Sequence, residues 1–140
     1  MGDQMNIKTK ASRKKFGNSR IIPAVRDKRT DNYILKVWLS GKWLAEWGFV
    51  FDSVMTVEAL NGSVILRLIA KEDCTAELVK HLRSQKMQLV QVFKVGQSHC
   101  IDIFGQVLVK AGFVAGEDCI ATLEYGLITI RGCNSSVLLS

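Results

Sequence analysis

The chain repeats itself at one fixed spacing, the offset that takes Gly41 to Gly105. Segment 41–67 aligns with segment 105–131 without a gap, and seven of these 27 positions are identical. Self-similarity at a fixed spacing indicates a repeated structural unit. Each unit looks too small to bury its own core, so we predict a pseudo-symmetric pair, the single-chain equivalent of a homodimer. The identical pairs are Gly41/Gly105, Leu44/Leu108, Gly48/Gly112, Phe49/Phe113, Val50/Val114, Gly62/Gly126 and Arg67/Arg131.

Both units show the same order of local signals. A β-type run is followed by a short helix that ends at a glycine, Gly48 or Gly112, and then by a hairpin. Asn61-Gly62 is a strong two-residue hairpin signal in the first unit. In the first unit we expect Ser40 to cap the helix. The predicted strands are 33–39, 54–60, 64–70, 89–95, 98–104, 119–124 and 127–131, and the predicted short helices are 41–47 and 106–111.

These signals define the predicted domain organisation. Residues 31–140 form one barrel domain with repeat one at 33–70 and repeat two at 97–131. Between them, residues 72–87 form a connecting helix, with Asp73 as N-cap and an apolar stripe of Cys74, Leu78 and Leu82. The fold class is mainly β with short helices (α+β). Two interleaved hairpins supply enough strands to close a barrel, whereas one hairpin is only marginally stable in water.

Charge is concentrated at the start of the chain. Residues 1–30 carry nine basic and two acidic residues, a net +7, whereas residues 31–140 carry ten basic and eleven acidic residues, a net −1. We predict that residues 1–30 are a flexible basic arm in which the apolar patch 20–25 can dock as an edge strand. Lysine and arginine displace counterions from phosphates, which favours a nucleic-acid partner over a merely solubilising tail. The predicted arm contacts are Lys8, Lys10, Arg13, Lys14, Lys15, Arg20, Arg26, Lys28 and Arg29.

Arg67 and Arg131 extend this interface to the barrel. They occupy equivalent positions in the two units, and a pseudo-dyad presents them as two-fold readers of duplex nucleic acid do. The alternative is that both are ordinary exposed arginines at strand ends, with no role in binding. Trp38, Trp43 and Trp47 can provide a stacking platform for single-stranded RNA, although we expect at least two of them to pack in the core or an interface.

The sequence contains no recognisable catalytic constellation. His99 and Cys100 are adjacent on a predicted strand and therefore point to opposite faces. Asp52, Glu117 and Asp118 could hold a metal, but loop acids more often form turns. The isolated cysteines match no metal or redox spacing. We therefore expect no cofactor and no metal, and reduced thiols in a cytoplasmic protein without a membrane segment.

The repeated unit resembles the SymE family of the AbrB-like swapped-hairpin superfamily. The resemblance rests on Leu39-Ser-Gly-Lys-Trp-Leu-Ala-Glu-Trp-Gly-Phe49 and Val57-Glu-Ala-Leu-Asn-Gly-Ser-Val-Ile65, and on the corresponding glycines and hydrophobic residues of repeat two. It implies an internally duplicated swapped-hairpin barrel. SymE-like chains usually carry one unit and pair across chains, so two units imply a barrel closed within one molecule.

The resemblance also shapes the functional expectation. It implies a bacterial nucleic-acid-binding protein of toxin–antitoxin type, which binds RNA or DNA through its arm and barrel. Two alternatives remain, namely an RNA-cleaving endoribonuclease toxin and a protein-interaction or antitoxin-like module. The expected oligomeric state is a monomeric pseudo-dimer or a homodimer, with no membrane association.

Overall fold

The computed structural model describes residues 18–29 and 32–132. Over these ranges the chain forms nine strands and three short helices, so the predicted mainly β fold with short helices is confirmed. The strands are β1 (Ser19–Arg29), β2 (Asn32–Ser40), β3 (Val54–Leu60), β4 (Ser63–Leu68), β5 (Gln88–Gln91), β6 (Phe93–Val95), β7 (Ser98–Phe104), β8 (Asp118–Glu124) and β9 (Leu127–Gly132). The helices are α1 (Trp43–Glu46), α2 (Ala76–Ser84) and α3 (Gln106–Lys110), and Lys71–Asp73 forms a 3-10 turn.

The strands form one antiparallel sheet that nearly closes into a barrel. Its order is β5-β3-β4-β9-β8-β1-β2-β7-β6. The two outermost strands, β5 and β6, are consecutive in the chain and are separated only by Val92. The Val92 N–H donates to the Ser53 carbonyl, and its own carbonyl accepts from the Asp52 N–H. One kinked segment therefore borders both ends of the sheet, which leaves little unpaired edge.

Strand β1 differs from the predicted flexible arm. The sequence favours an arm over 1–30 with an edge strand at 20–25, but Ser19–Arg29 is a strand paired on both sides. Its first half pairs with β8 and its second half with β2. Pairing changes partner between Pro23 and Ala24. Proline has no N–H to donate to a strand partner. Pro23 is therefore tolerated here, where the strand changes partner and the hydrogen-bond ladder is interrupted.

The two hairpins have identical registers, related by the repeat offset. In β3–β4, Met55 lies opposite Leu68, and in β8–β9 Cys119 lies opposite Gly132. Two strand pairs join the units. In β2–β7, Trp38 lies opposite Asp102, and in β4–β9 Ile65 lies opposite Thr129. In each of these two pairs a residue faces its own counterpart in the other unit, so each pair marks a local two-fold centre of the pairing.

Backbone hydrogen bonds repeat with the same symmetry. The N–H of Gly62 donates to the carbonyl of Ala111 at 2.9 Å, and the N–H of Gly126 donates to the carbonyl of Trp47 at 2.8 Å. The tip of each hairpin therefore contacts the end of the short helix in the other unit. Both glycines have positive φ, +83° and +75°, which a hairpin turn requires and which glycine adopts without strain.

The core lies inside the barrel and is built from equivalent residues of both units. Leu44, Leu108 and Phe49 are fully buried, and Phe113 is 7% exposed. These four residues, which are identical between the two repeats, therefore pack in the core. Along β3, Met55 and Val57 are buried while Glu58 is exposed, and β8 shows the same alternation. This period-two pattern places one strand face in the core and the other in solvent.

The helices are shorter than predicted. The connecting helix covers Ala76–Ser84 rather than 72–87, and its N-cap is Thr75, whose hydroxyl accepts from the Leu78 N–H, rather than Asp73. The residues before it form the 3-10 turn instead. In the first unit, α1 covers only Trp43–Glu46, and its N-cap position is Lys42, not Ser40. Gly48 and Gly112 end the short helices with φ of +93° and +89°, as predicted.

Candidate nucleic-acid interface

Arg67 and Arg131 lie on the outer face of the β4–β9 pair. Both are exposed, and they flank the central pair of Ile65 and Thr129, two residues away on each side. Arg67 lies opposite Leu127, and Arg131 lies opposite Ser63. With a rise of about 3.3 Å per residue and a strand spacing of about 4.8 Å, their Cα atoms are roughly 14 Å apart. The two cations are therefore presented symmetrically on one surface.

The predicted arm residues fall into three groups. Lys8, Lys10, Arg13, Lys14 and Lys15 lie outside the described residues. Lys28 and Arg29 lie at the end of β1, where the structure describes the backbone pairing alone. Arg26 is on β1 and is exposed, and Arg20 lies at the start of the same strand. Arg20, Arg26, Lys28 and Arg29 thus belong to the barrel and not to an arm.

Arg20 and Trp43 form a stacked pair at one mouth of the barrel. The Arg20 guanidinium carbon lies 4.9 Å from the centre of the Trp43 ring, and the indole Nε1 donates to the Ser40 carbonyl at 2.9 Å. A Cβ atom on Gly41 would come within 2.2 Å of that nitrogen. The indole therefore folds back over a glycine that leaves room for it.

The three tryptophans do not form one exposed patch. Trp43 and Trp47 are partly buried against the core, whereas Trp38 lies on the outer face of β2. There the Lys36 ammonium is 4.9 Å from the Trp38 ring centre, and the Phe93 ring packs edge-on at 5.5 Å. Because the three rings are separated, they do not form the contiguous exposed apolar patch that marks a protein-interaction site.

The candidate catalytic residues are not brought together. His99 stacks on Phe51 with ring centres 3.8 Å apart, whereas the Cys100 thiol contacts the Ser40 hydroxyl at 3.7 Å. The Asp52 N–H donates to the Val92 carbonyl between β5 and β6, whereas the Glu117 carbonyl accepts from the Ala24 N–H on β1. Within residues 18–29 and 32–132, no group of three histidine, cysteine, aspartate or glutamate side chains is arranged to hold a metal ion.

The sequence did not predict a cleft that lies at the second mouth of the barrel. Its volume is about 430 Å³, and it lies between β3, the turn after α2, and helix α3. Val57 and Val107 line its apolar side, and Lys86 and Lys110 its polar side. The sequence carries no signal for it, because its lining residues come from separate elements that only the fold brings together.

Comparison with protein-family models, with characterised proteins and with solved structures gives no match. Over the described part of the chain, the helices fall short of the length and apolar character needed to cross a membrane.

Proposed function

We propose that this chain is an internally duplicated SymE/AbrB-like swapped-hairpin barrel that binds nucleic acid. The duplication is supported by the equal hairpin registers and by the reciprocal bonds from Gly62 and Gly126. Because these bonds join the two units within one chain, we propose a monomeric pseudo-dimer. Size measurement in solution tests that state, and a stable homodimer would contradict it.

The observation that carries the binding proposal is the exposed arginine pair. Arg67 and Arg131 are related by a local two-fold centre, and their separation of roughly 14 Å is comparable with the roughly 12 Å width of the DNA major groove. Duplex nucleic acid has local two-fold symmetry, so one surface can contact both backbones equally. The chain carries further basic residues before position 18, which increase its attraction for phosphates.

The test compares labelled duplex DNA and single-stranded RNA at two salt concentrations. The proteins are the full chain and the double variant Arg67→Ala/Arg131→Ala. The matched control is Lys80→Ala/Arg83→Ala, which removes two exposed cations from α2. We expect the arginine variant to bind more weakly and the control to bind as the full chain does. Equal binding by both variants, or no binding by the full chain, would overturn the proposal.

The same samples test the enzymatic alternative. The resemblance implies RNA cleavage by an endoribonuclease, for which the described residues supply no group of three His, Cys, Asp or Glu side chains arranged to hold a metal ion. The labelled RNA is therefore analysed for shortened cleavage products as well as for the reduced gel mobility that binding causes. Cleavage that persists through purification would favour the enzyme over a binding protein.

A further inference from the structure

The hairpin of β1 and β2 has a counterpart in the hairpin of β6 and β7. The Ala24 carbonyl accepts a hydrogen bond from the Gly116 N–H at 2.7 Å. In the other unit, the Val92 carbonyl accepts from the Asp52 N–H at 3.0 Å. Since the repeat offset takes Asp52 to Gly116, Ala24 is the counterpart of Val92. The two hairpins that begin after these residues can therefore be compared pair by pair.

The two hairpins differ in length. The β6–β7 hairpin has three strand pairs, of which the last is Val95 opposite Ser98. Beyond Ala24, the β1–β2 hairpin has five pairs, of which the last is Arg29 opposite Asn32. With a rise of about 3.3 Å per residue, the two additional pairs make the first hairpin about 7 Å longer. This is a second point at which the two units differ.

The longer hairpin extends past the strands on both sides of it. Strand β7 pairs with β2 from Lys36 onward, and β8 pairs with β1 as far as Pro23. Within the described strand pairs, segments 26–29 and 32–35 therefore pair only with each other. We call these two segments the β-ribbon. At its base, Leu35 packs against the core and the opposite residue, Arg26, is exposed.

The β-ribbon has the dimensions of an element that fits a nucleic-acid groove. Its two strands are about 4.8 Å apart, and its first and last pairs are about 10 Å apart. The major groove of B-form DNA is about 12 Å wide and about 8.5 Å deep, and it admits a two-stranded β-ribbon. The ribbon is therefore long enough to reach the base edges while the barrel stays outside the groove.

The residues of the added length are those that recognise bases. The last pair places Arg29 opposite Asn32. Arginine forms paired hydrogen bonds with guanine O6 and N7, and asparagine does so with adenine N6 and N7. The two additional pairs contribute the cations of Lys28 and Arg29 and no carboxylate. The aspartates of this hairpin, Asp27 and Asp31, lie outside these pairs.

We propose that the β-ribbon enters the major groove of B-form duplex DNA and contacts base edges there. The inference rests on the proposed nucleic-acid binding and names the form of the duplex and the groove. Phosphate contacts by Arg67 and Arg131 position the protein, whereas Arg29 and Asn32 distinguish sequences. An RNA duplex is excluded from this mode, because its major groove is too deep and narrow for side chains to read.

The second unit supplies the design of a shortened ribbon. Deletion of 28–29 and 32–33 leaves Asp27 opposite Ile34 as the last pair, which is the length of the β6–β7 hairpin. The double variant Arg29→Ala/Asn32→Ala keeps the length and removes the two base-reading side chains. Thermal unfolding of each variant accompanies the binding measurements.

The matched control comes from the counterpart hairpin. Lys94→Ala/Gln97→Ala also removes one cation and one amide, and both of these residues are exposed. We expect this control to bind every probe as the full chain does.

Binding is measured by gel mobility on three labelled probes. These are a mixed-sequence DNA duplex, an RNA duplex of the same sequence, and the DNA duplex with 7-deazaguanine and 7-deazaadenine, which lack the N7 acceptors of the major groove. We expect the full chain to bind the unmodified DNA at least about tenfold more tightly than either other probe. The shortened ribbon and Arg29→Ala/Asn32→Ala should lose this preference, and their affinity for unmodified DNA should fall about tenfold.

The outcomes separate this inference from the broader proposal. If Arg67→Ala/Arg131→Ala weakens binding but neither ribbon variant does, the ribbon is excluded while nucleic-acid binding stands. Equal binding of the full chain to all three probes also overturns the ribbon, because it indicates phosphate contacts alone. Absence of binding to every probe overturns both proposals. If the shortened ribbon does not fold, the comparison of Arg29→Ala/Asn32→Ala with its control decides the result.

Discussion

The Tyr125 ring lies against Gly48, so that a Cβ atom at Gly48 would come within 3.0–3.3 Å of the ring carbons. The contact joins the second hairpin to the end of α1, beside the bond from the Gly126 N–H to the Trp47 carbonyl. The counterpart glycine, Gly112, has nothing within 4 Å of an added Cβ. This is one point at which the pseudo-symmetry of the two units is broken.

We predict that Gly48→Ala destabilises the protein more than Gly112→Ala. Both glycines have positive φ, so both substitutions should cost about 1–2 kcal/mol in backbone strain. Only the first also displaces the Tyr125 ring. Chemical denaturation of both variants measures the difference, and Gly48→Ala combined with Tyr125→Ala should approach the Gly112→Ala value. Equal losses in the two single variants would show that the ring moves aside at no cost.

We predict that Phe49→Ala and Phe113→Ala each lower the free energy of unfolding by about 3–5 kcal/mol, as large-to-small core substitutions do. Phe49 is fully buried and should lie at the upper end, whereas Phe113 is 7% exposed and should lie lower. Ile21→Ala is the control, because that side chain is 70% exposed and should change stability little. Melting curves unaltered by Phe49→Ala would contradict the core assignment.

We predict that Asp52→Gly stabilises the chain by about 0.5–1 kcal/mol. Asp52 has φ of +68°, and the equivalent position in the second unit holds Gly116 with φ of +93°. Glycine relieves the left-handed strain, and the gain is limited because aspartate tolerates this region better than most residues. The reciprocal change, Gly116→Asp, should destabilise by a similar amount. The denaturation midpoints of the two variants should therefore shift in opposite directions.

We predict that the thiols are reduced and differ in reactivity. Cys74 is half-buried, whereas Cys100 and Cys119 are buried. Thiol titration of the folded protein should label Cys74 well before Cys100 and Cys119. Titration after denaturation without reductant should find all four cysteines of the chain. Fewer than four reactive groups would indicate a disulfide.

We predict that residues 1–17 dominate the salt dependence of nucleic-acid binding. They carry five basic residues and one aspartate. Five phosphate contacts on duplex DNA give a slope of about −4.5 in log affinity against log salt, so deleting 1–17 should remove about that much. Replacing Arg67 and Arg131 together should remove at most about two units. The deletion leaves β1 in place, whereas removing 1–30 would delete a barrel strand.

The deletions of 1–17 and 1–30 differ because the sequence predicted an arm where the structure has strand β1, although it predicted the hairpins correctly. The repeat and the Asn61-Gly62 signal predicted the β3–β4 hairpin and its counterpart, because local turn chemistry and alternating burial both favour them. Strand β1 was harder to predict, since its basic residues are typical of a solvated arm. Its pairing with β8 depends on contacts distant in sequence, and no local pattern encodes them.

The candidate site was predicted to a similar extent. The equivalence of Arg67 and Arg131 follows from the alignment, but their shared outer face depends on the β4–β9 pairing. The cleft at the second mouth of the barrel was not predicted, because its lining residues come from β3, the turn after α2, β5 and α3. These elements lie far apart in the sequence, and only the folded chain brings them together.

The pairing of β1 with β8 also sets an order of events during synthesis. Ser19 contacts Thr122, which follows it by 103 residues. At a translation rate of roughly 5–20 residues per second, β1 waits roughly 5–20 s for this partner. During that interval only the second half of β1, from Ala24 onward, can pair with β2, so the half-strand that carries Ile21 and Ile22 has no strand partner until β8 is made. Strand β1, the first of the described strands to be made, is therefore among the last to be fully protected from aggregation.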